Sequence, residues 1–394
     1  QRPDPTRDPG VVAGVQAQVD ASVRFASAQQ SNIRDRLRQV RSGDNGSSNQ
    51  LSLGHAGGRR PPGLALPLAP IQAAPWPSLP TGWGLWASGS ATFGDGDRSS
   101  SYAFHTDGLT VGLDRAVGER LLLGVAASLA RNDSERDGSE SRVEGRQHSV
   151  AAYGLWRSGE HLFVDGVIAG GALDFATRRW STDADAFARG NRDGDQWFGS
   201  LAFGYEHRNA GMTLTGYGRV EASRTRLDAY RETGLDLYNL DYRRQVVRNS
   251  AVALGLEGAY LAGDGEGRVR PFWNIEYRQA IDDKGAAYLN YVVGPRAQDY
   301  RLDMHSYNDN ALSMAAGMDV RLQRGWLLSL LLGHEQTRGS SRASSVGLRV
   351  SYGGAGAGAG PAADAMDGTD AGHASGTAQR CPPRRCGGGN AAAK

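Results

Sequence analysis

The sequence predicts an all-β fold, a 12-stranded antiparallel transmembrane β-barrel with an N-terminal α-helix threaded through the lumen. Three observations carry this. Residues 81–352 contain twelve segments in which apolar and polar side chains alternate, the period of a strand with two unlike faces. The connections are short after even-numbered segments and mostly long after odd-numbered ones, an asymmetry that belongs to membrane barrels and has no cause in a soluble sandwich. One helical repeat of unusual length precedes the strands.

Composition agrees. The 394 residues have a formal net charge of +2, 39% hydrophobic residues and 55 glycines, with a mean hydropathy of −0.47. No run of 18 apolar residues occurs, so a transmembrane helix is not expected. A spanning barrel is untouched by that argument, because its signal is alternation. Lys+Arg 44 against Asp+Glu 42 leaves no basic surplus, so nucleic acid is not expected as a partner. Both cysteines lie in the last 15 residues, which leaves the main body without a disulfide framework or a cysteine metal site. The chain starts at Gln1 without a charged segment followed by an apolar one, so no signal peptide is expected within it.

Residues 1–43 form the helical segment. Val12, Val19, Ala26, Ile33 and Val40 recur every seven residues, with Val15, Val23 and Leu37 near the same stripe. Asp8 is the expected N-cap, Pro9 the first helical residue and Gly43 the stop, and Arg34, Arg36, Arg38 and Arg41 suit the C-terminal dipole. Some 31 residues span roughly 46 Å, longer than a hydrocarbon core of roughly 30 Å. The stripe is narrow and the remaining faces carry Gln, Ser, Asp and Arg. Such a helix suits a coiled coil or a polar pore and cannot face lipid.

Residues 44–80 are rich in Gly, Pro and Ser and read as a connector on the rim where the helix leaves and the first strand begins. The strands of 81–352 follow at 83–94, 104–116, 120–131, 145–157, 161–175, 195–208, 212–225, 248–262, 268–281, 309–323, 325–336 and 343–352. In the seventh, Leu214, Val220 and Ala222 oppose Thr213, Thr215, Tyr217, Arg219 and Glu221. In the ninth, Trp273, Ile275 and Tyr277 oppose Asn274, Glu276 and Arg278. The apolar faces are expected to meet lipid and the polar faces a wet lumen, which places Arg219, Glu221, Glu257, Glu276, Asp319 and Arg321 inside. Long connections are expected at 132–144, 176–194, 226–247 and 282–308. Trp83, Trp86, Trp156, Trp180, Trp197, Trp273 and Trp326, with Tyr205, Tyr277 and Tyr352, read as interfacial girdles. Residues 353–394 are a low-complexity Gly/Ala tail, expected to be disordered.

The segment WGLWASGSATFGDGD at 83–97 resembles the first strand of the C-terminal translocator domain of bacterial autotransporters, the type V secretion family. AQVDASVRFASAQQSNIRDRLRQV at 17–40 resembles that family's lumen helix. The order of helix, connector and twelve strands matches the family layout. On the final strand, Ser345, Gly347, Val350 and Tyr352 within SVGLRVSY match the recognition signal for the barrel-assembly machinery. Family members usually stop at or beside that aromatic residue, whereas this chain continues from Gly353 to Lys394. The resemblance implies a Gram-negative outer-membrane monomer with both ends of the barrel in the periplasm. It implies an upstream passenger exported to the cell surface, a pore plugged by the helix, and the bilayer and assembly machinery as partners.

No enzyme chemistry and no cofactor are expected. The chain has no GxSxG elbow, HExxH or Walker A sequence. Asp303, His305 and Asp309 read as polar loop residues. Self-cleavage at paired asparagines, which occurs in some family members, finds only Ser31-Asn32 here. Cys381 and Cys386 with His373 supply too few ligands for zinc, although the two thiols could form a small disulfide. Arg34, Arg36 and Arg38 are expected to pair collectively with Glu206, Glu221 and Glu257 and so seat the helix, each pair worth on the order of 1 kcal/mol or less. The alternative is a porin or barrel enzyme with an accessory helix; a soluble β-sandwich gives no reason for the loop parity.

Overall fold

The computed structural model describes residues 3–41, 48–57, 82–95, 102–136, 140–209, 211–260, 269–293, 299–304, 310–322, 326–337 and 342–353. Gly43, most of the expected connector, His305, Asp309 and the whole of 354–394 with His373, Cys381 and Cys386 lie outside them.

A 3-10 turn at Pro5–Arg7 leads into α1 (Pro9–Arg41). Asp8 caps α1 as expected, its carboxylate accepting the Gly10 N–H at 2.7 Å. All twelve expected wall strands are present: β2 (Trp83–Asp95), β3 (Tyr102–Val117), β4 (Leu121–Arg136), β5 (Arg142–Ser158), β6 (Leu162–Ser181), β7 (Ala186–Asn209), β8 (Met212–Leu227), β11 (Gln245–Tyr260), β12 (Val269–Tyr291), β14 (Ala311–Arg321), β15 (Trp326–Thr337) and β16 (Arg342–Gly353). Neighbours in sequence pair antiparallel around the wall, and β11 joins β12. The burial pattern of β4 shows the alternation: Leu123, Val125 and Leu129 face outward, while Leu122, Ala126, Ser128 and Asn132 are buried inside.

The segment read as connector contributes a further strand. β1 (Ser48–Gly57) lies between β2 and β16, antiparallel to β16 and parallel to β2. This closes a ring of thirteen strands among the described residues. An odd ring cannot alternate throughout, so one neighbouring pair must run parallel; here it is β1–β2. Both strands ascend from the rim where α1 ends. Little in the residue pattern marks β1 as a strand, because only Leu51 and Leu53 interrupt a run of polar and small residues.

Two of the expected long connections are mostly strand. β4 runs on to Arg136 and β5 resumes at Arg142; β6 runs on to Ser181 and β7 resumes at Ala186. The ladder outlasts the apolar belt because each strand end pairs with a neighbour of matching length. Backbone hydrogen bonding needs no apolar side chains to continue. The other two connections remain long and fold upon themselves. β9 (Tyr230–Arg231) pairs with β10 (Leu240–Tyr242), and β10 and β13 (Tyr300–Met304) each pair with the upper end of β12, forming a small sheet above the wall.

Trp156, Trp197, Trp273, Tyr205 and Tyr277 are outward and exposed, as girdle residues should be. Trp86 is a correction: it points into the lumen and is 2% exposed. Its indole fills the space over Gly112 on β3, where a Cβ would lie 2.3 Å from the ring.

Candidate functional site

The lumen is filled by α1, and most of the helix is buried, with Pro9 and Arg38 exposed. Its stripe residues Val19, Ala26, Ile33 and Val40 are buried, while Val12 is half-buried. So are Gln16, Gln18, Asp20, Arg24, Gln29, Asn32 and Arg36 on the other faces. A polar helix can be enclosed this way only if the wall answers its hydrogen-bonding groups.

At the end near the small sheet, Val11 and Val15 pack against Tyr230, Leu240, Tyr242, Leu289 and Met304. Burial pushes the Tyr230 hydroxyl up to about 12. The buried Arg179 guanidinium joins Asp8 at 3.2 Å to Glu232 at 2.7 Å. The Tyr291 hydroxyl donates to the Pro3 carbonyl at 2.9 Å. One turn deeper, Arg192 donates to the Gln18 amide oxygen at 3.0 Å and to the Arg243 carbonyl at 3.1 Å.

Mid-lumen contacts are neutral on one side or both. Arg24 donates to Asn132 at 2.9 Å and lies over the Phe104 ring. Gln196 donates to the Ser22 carbonyl at 2.9 Å. Ser149 donates to Gln29 at 2.7 Å. Asn32 donates to Thr110 at 3.0 Å and accepts from Ser88 at 3.1 Å. Phe25 and Ala21 pack on Val143, Leu173 and Phe175.

The last two turns carry charge. Arg36 makes a bidentate pair with Asp114, both contacts at 2.8 Å, with each side chain 1% exposed. Tyr153 donates to Asp114 at 3.0 Å, and Trp86 Nε1 donates to the Tyr153 hydroxyl at 2.6 Å. Arg34 pairs with Glu221 at 3.0 Å and Arg38 with Glu257 at 3.4 Å. Arg41 reaches Glu206 and Glu257, each at 3.9 Å, and lies over the Phe163 ring. Asp35 pairs with Arg349 of β16 at 2.6 Å. The Arg41 carbonyl accepts from Arg157 at 2.6 Å and also from Arg208, which answers the C-terminal end of the helix dipole. Beneath the helix, Arg219 bridges Glu221 and Glu276 at 2.8 Å each, and Arg278 also reaches Glu221.

The expected inward charges thus fall in three groups. Glu221 and Glu257 meet the helix, and Arg219 and Glu276 are linked to Glu221 behind them. Asp319 faces inward but pairs with Arg270 of the neighbouring strand at 2.7 Å. Arg321 shares the face of Asp319 but sits exposed at the strand end. Arg36 finds Asp114 instead of the expected glutamates. Asp114 was legible by parity, since it shares a face with Thr110 and Thr106 on β3. Gly347 and Val350 lie on β16, opposite Gly54 and Leu51 of β1; Ser345 and Tyr352 lie opposite Ala56 and Asn49. Among the described residues no group of His, Cys, Asp and Glu could hold a metal.

A family model described as Autotransporter beta-domain matches residues 85–333, more than half of the chain. The chain belongs to the autotransporter β-domain family. Outer membrane protein B of Rickettsia typhi is 24% identical over 172 residues, 40% of this chain and 10% of that protein. Outer membrane protein B of Rickettsia japonica matches with the same identity and coverage. The chain thus spans about a tenth of the length of these curated relatives. Among solved structures, the translocator domain of the autotransporter NalP from Neisseria meningitidis aligns with a TM-score of 0.52 at 17% identity, covering 70% of this chain and 89% of that one. The β domain of the Bordetella autotransporter BrkA aligns with a TM-score of 0.46 at 17% identity, covering 69% and 99%. The autotransporter β-domain described here is therefore an outer-membrane translocator of Gram-negative type, with its own helix in the pore.

Proposed function

We propose that this β-domain exports a passenger lying upstream of α1 and then anchors it at the cell surface, with α1 left behind as the plug. The observation that carries the reading is the path of α1. It runs from the Tyr291–Pro3 contact under the small sheet to the Arg157 and Arg208 contacts at the rim of short turns. Chain upstream of residue 3 would leave on the side of the long loops, which is the cell-surface side if the short turns face the periplasm. In that orientation β2 begins and β16 ends at the periplasmic rim.

Export needs no bond chemistry in this region. The charged lumen side chains are engaged with α1 and with one another, which supports a seating role. We take the barrel to act as a monomer, a reading supported by its wall closing on itself among the described residues, so that no second chain is needed to complete the sheet. Ser345, Gly347, Val350 and Tyr352 serve as the signal read by the barrel-assembly machinery on β16 before β1 covers that edge.

An epitope tag placed ahead of Gln1, in cells producing the chain behind a secretory signal, tests the reading. The tag is expected to be reachable by antibody on intact cells, and to be lost from the surface when residues 9–41 are deleted. A tag reachable only after permeabilisation would contradict it.

A further inference from the structure

The outer face of the wall is not uniform. Following one cross-strand row outward from β3, the register runs Val111, Ala127, Val150, Gly170, Trp197, Arg224 and Arg248. The row beneath runs Leu113, Val125, Ala152, Ile168, Gly199 and Ala222. Small residues sit between large ones in both rows, so the surface is hollowed. A groove of about 770 Å³ results, lined by Val111, Val125, Val150, Ile168, Gly170 and Trp197 among others. The Trp197 indole closes one end: it lies across Gly170, where an added Cβ would be 3.1 Å from the ring.

Beyond Trp197 the same row turns cationic. Arg224 is the direct register partner of Trp197, and Arg248 of Arg224. Both arginines are exposed. On its other side Arg248 faces the register position of Lys284. Like charges opposite each other destabilise a sheet unless something answers them. Asp195 is taken by Arg226 at 3.5 Å, and no carboxylate among the described residues pairs with Arg224 or Arg248. On β7 and β8 the apolar belt ends at this row: Asp195 follows Trp197 two residues up, and Arg224 follows Ala222. The cations therefore stand at headgroup level on the side of the long loops, and the groove at acyl-chain level beside them.

We propose that this is a binding site for a phosphorylated, acylated lipid of the outer leaflet. Its phosphate sits between Arg224 and Arg248, and an acyl chain lies in the groove past Trp197. Guanidinium groups suit phosphate oxygens, and the empty counter-charge and the hollow meet at one residue. The proposal rests on the long-loop rim facing the cell surface. A wrong orientation would appear in the tag experiment above, whereas failure of the lipid site would leave that experiment unchanged.

The full chain, folded in neutral detergent, would be titrated with bis-phosphorylated lipid A, with its dephosphorylated form, and with inorganic phosphate, and bound lipid read by native mass spectrometry. Retention of the phosphorylated form alone is expected, with no competition from inorganic phosphate. Arg224→Gln and Arg248→Gln should each weaken retention about fivefold, and lysine at either position should restore part of it. Ala152→Phe, which fills the groove without touching the arginines or Trp197, should weaken retention as well. Equal retention of both lipids, indifference to the arginine variants, or a dimer in place of lipid uptake would overturn the proposal.

Discussion

The two ends of α1 are held by different physics. Both bury apolar side chains, Val11 and Val15 at the upper end and Ile33, Leu37 and Val40 at the lower. Their polar contacts differ. From Gln18 to Asn32 the partners are mostly amides, hydroxyls and carbonyls, and the buried Arg24 and Arg192 donate to neutral oxygens. From Arg34 to Arg41 the helix is cationic and the wall answers with Asp114, Glu206, Glu221 and Glu257. The difference teaches that a single helix can be gripped by several ion pairs in its last two turns and sheathed by neutral contacts from Gln18 to Asn32, with one charged contact, Asp8–Arg179, at its cap. A segment that must slide through a pore and then stop gains from this arrangement. Neutral contacts are individually weak and tolerant of register, while a bidentate guanidinium–carboxylate pair fixes position.

The largest effect should come from the most deeply buried ion pair among the described residues, Arg36–Asp114. Asp114→Ala removes the carboxylate facing Arg36 and the acceptor for Tyr153, which should cost about 4 kcal/mol of seating. Amide exchange across residues 30–41 is then expected to accelerate while exchange across 11–20 keeps its wild-type rate. Uniform acceleration along α1 would erase the contrast between its ends.

Next in size is the upper clamp. Leu289→Ala opens a cavity over Val11 and Val15 and should cost about 3 kcal/mol, with faster exchange confined to residues 9–18. Raising the salt to about 1 M shortens the screening length to about 3 Å. That should loosen the half-exposed Arg38–Glu257 pair more than the largely buried Arg34–Glu221 pair, and leave the Leu289 variant's deficit unchanged. A salt effect of equal size at both ends would contradict the division.

Glu221→Gln should cost on the order of 1 kcal/mol, because Arg34, Arg219 and Arg278 share that carboxylate while other acids remain nearby. Its exchange pattern should resemble a faint version of the Asp114 variant. The smallest energetic effect belongs to the seam, where Asp35 ties the lower helix to β16 through Arg349. Cysteines placed at Gln50 and Ser351, which face each other across β1 and β16, should cross-link in a chain lacking Cys381 and Cys386. Cross-linking between β2 and β16 instead would show that β1 stands outside the ring.

The sequence revealed the wall strands because their outward faces are apolar and their inward faces are not. β5 is an example, with Val150, Ala152 and Trp156 opposite Gln147 and Ser149. It concealed strand wherever both faces are polar. Residues 174–181 and 186–195 carry Asp174, Arg178, Arg189 and Asp193 on the outside, so period-2 alternation vanishes although the ladder continues. β1 was hidden for a related reason: its glycine and serine content reads as a loop. Seven-residue spacing located the helix and Asp8 capped it as expected, but spacing cannot tell which wall carboxylate meets which arginine. Arg34 and Arg38 met expected acids, while Arg36 met Asp114 on β3, four strands from Glu206 on β7 and five from Glu221 on β8 in the wall order. Trp86 was misread because an aromatic residue on a strand carries no mark of its face until the small Gly112 opposite it is noticed.

The measurement that tests the central claim most directly is single-channel conductance in planar bilayers, comparing the full chain with one lacking residues 3–41. A helix gripped at its lower end and sheathed above predicts a nearly closed full-length pore and a large, steady conductance once α1 is gone. Full-length openings should lengthen in the Asp114→Ala variant. Equal, large conductance with and without α1 would contradict the account, because the helix would then not occupy the lumen.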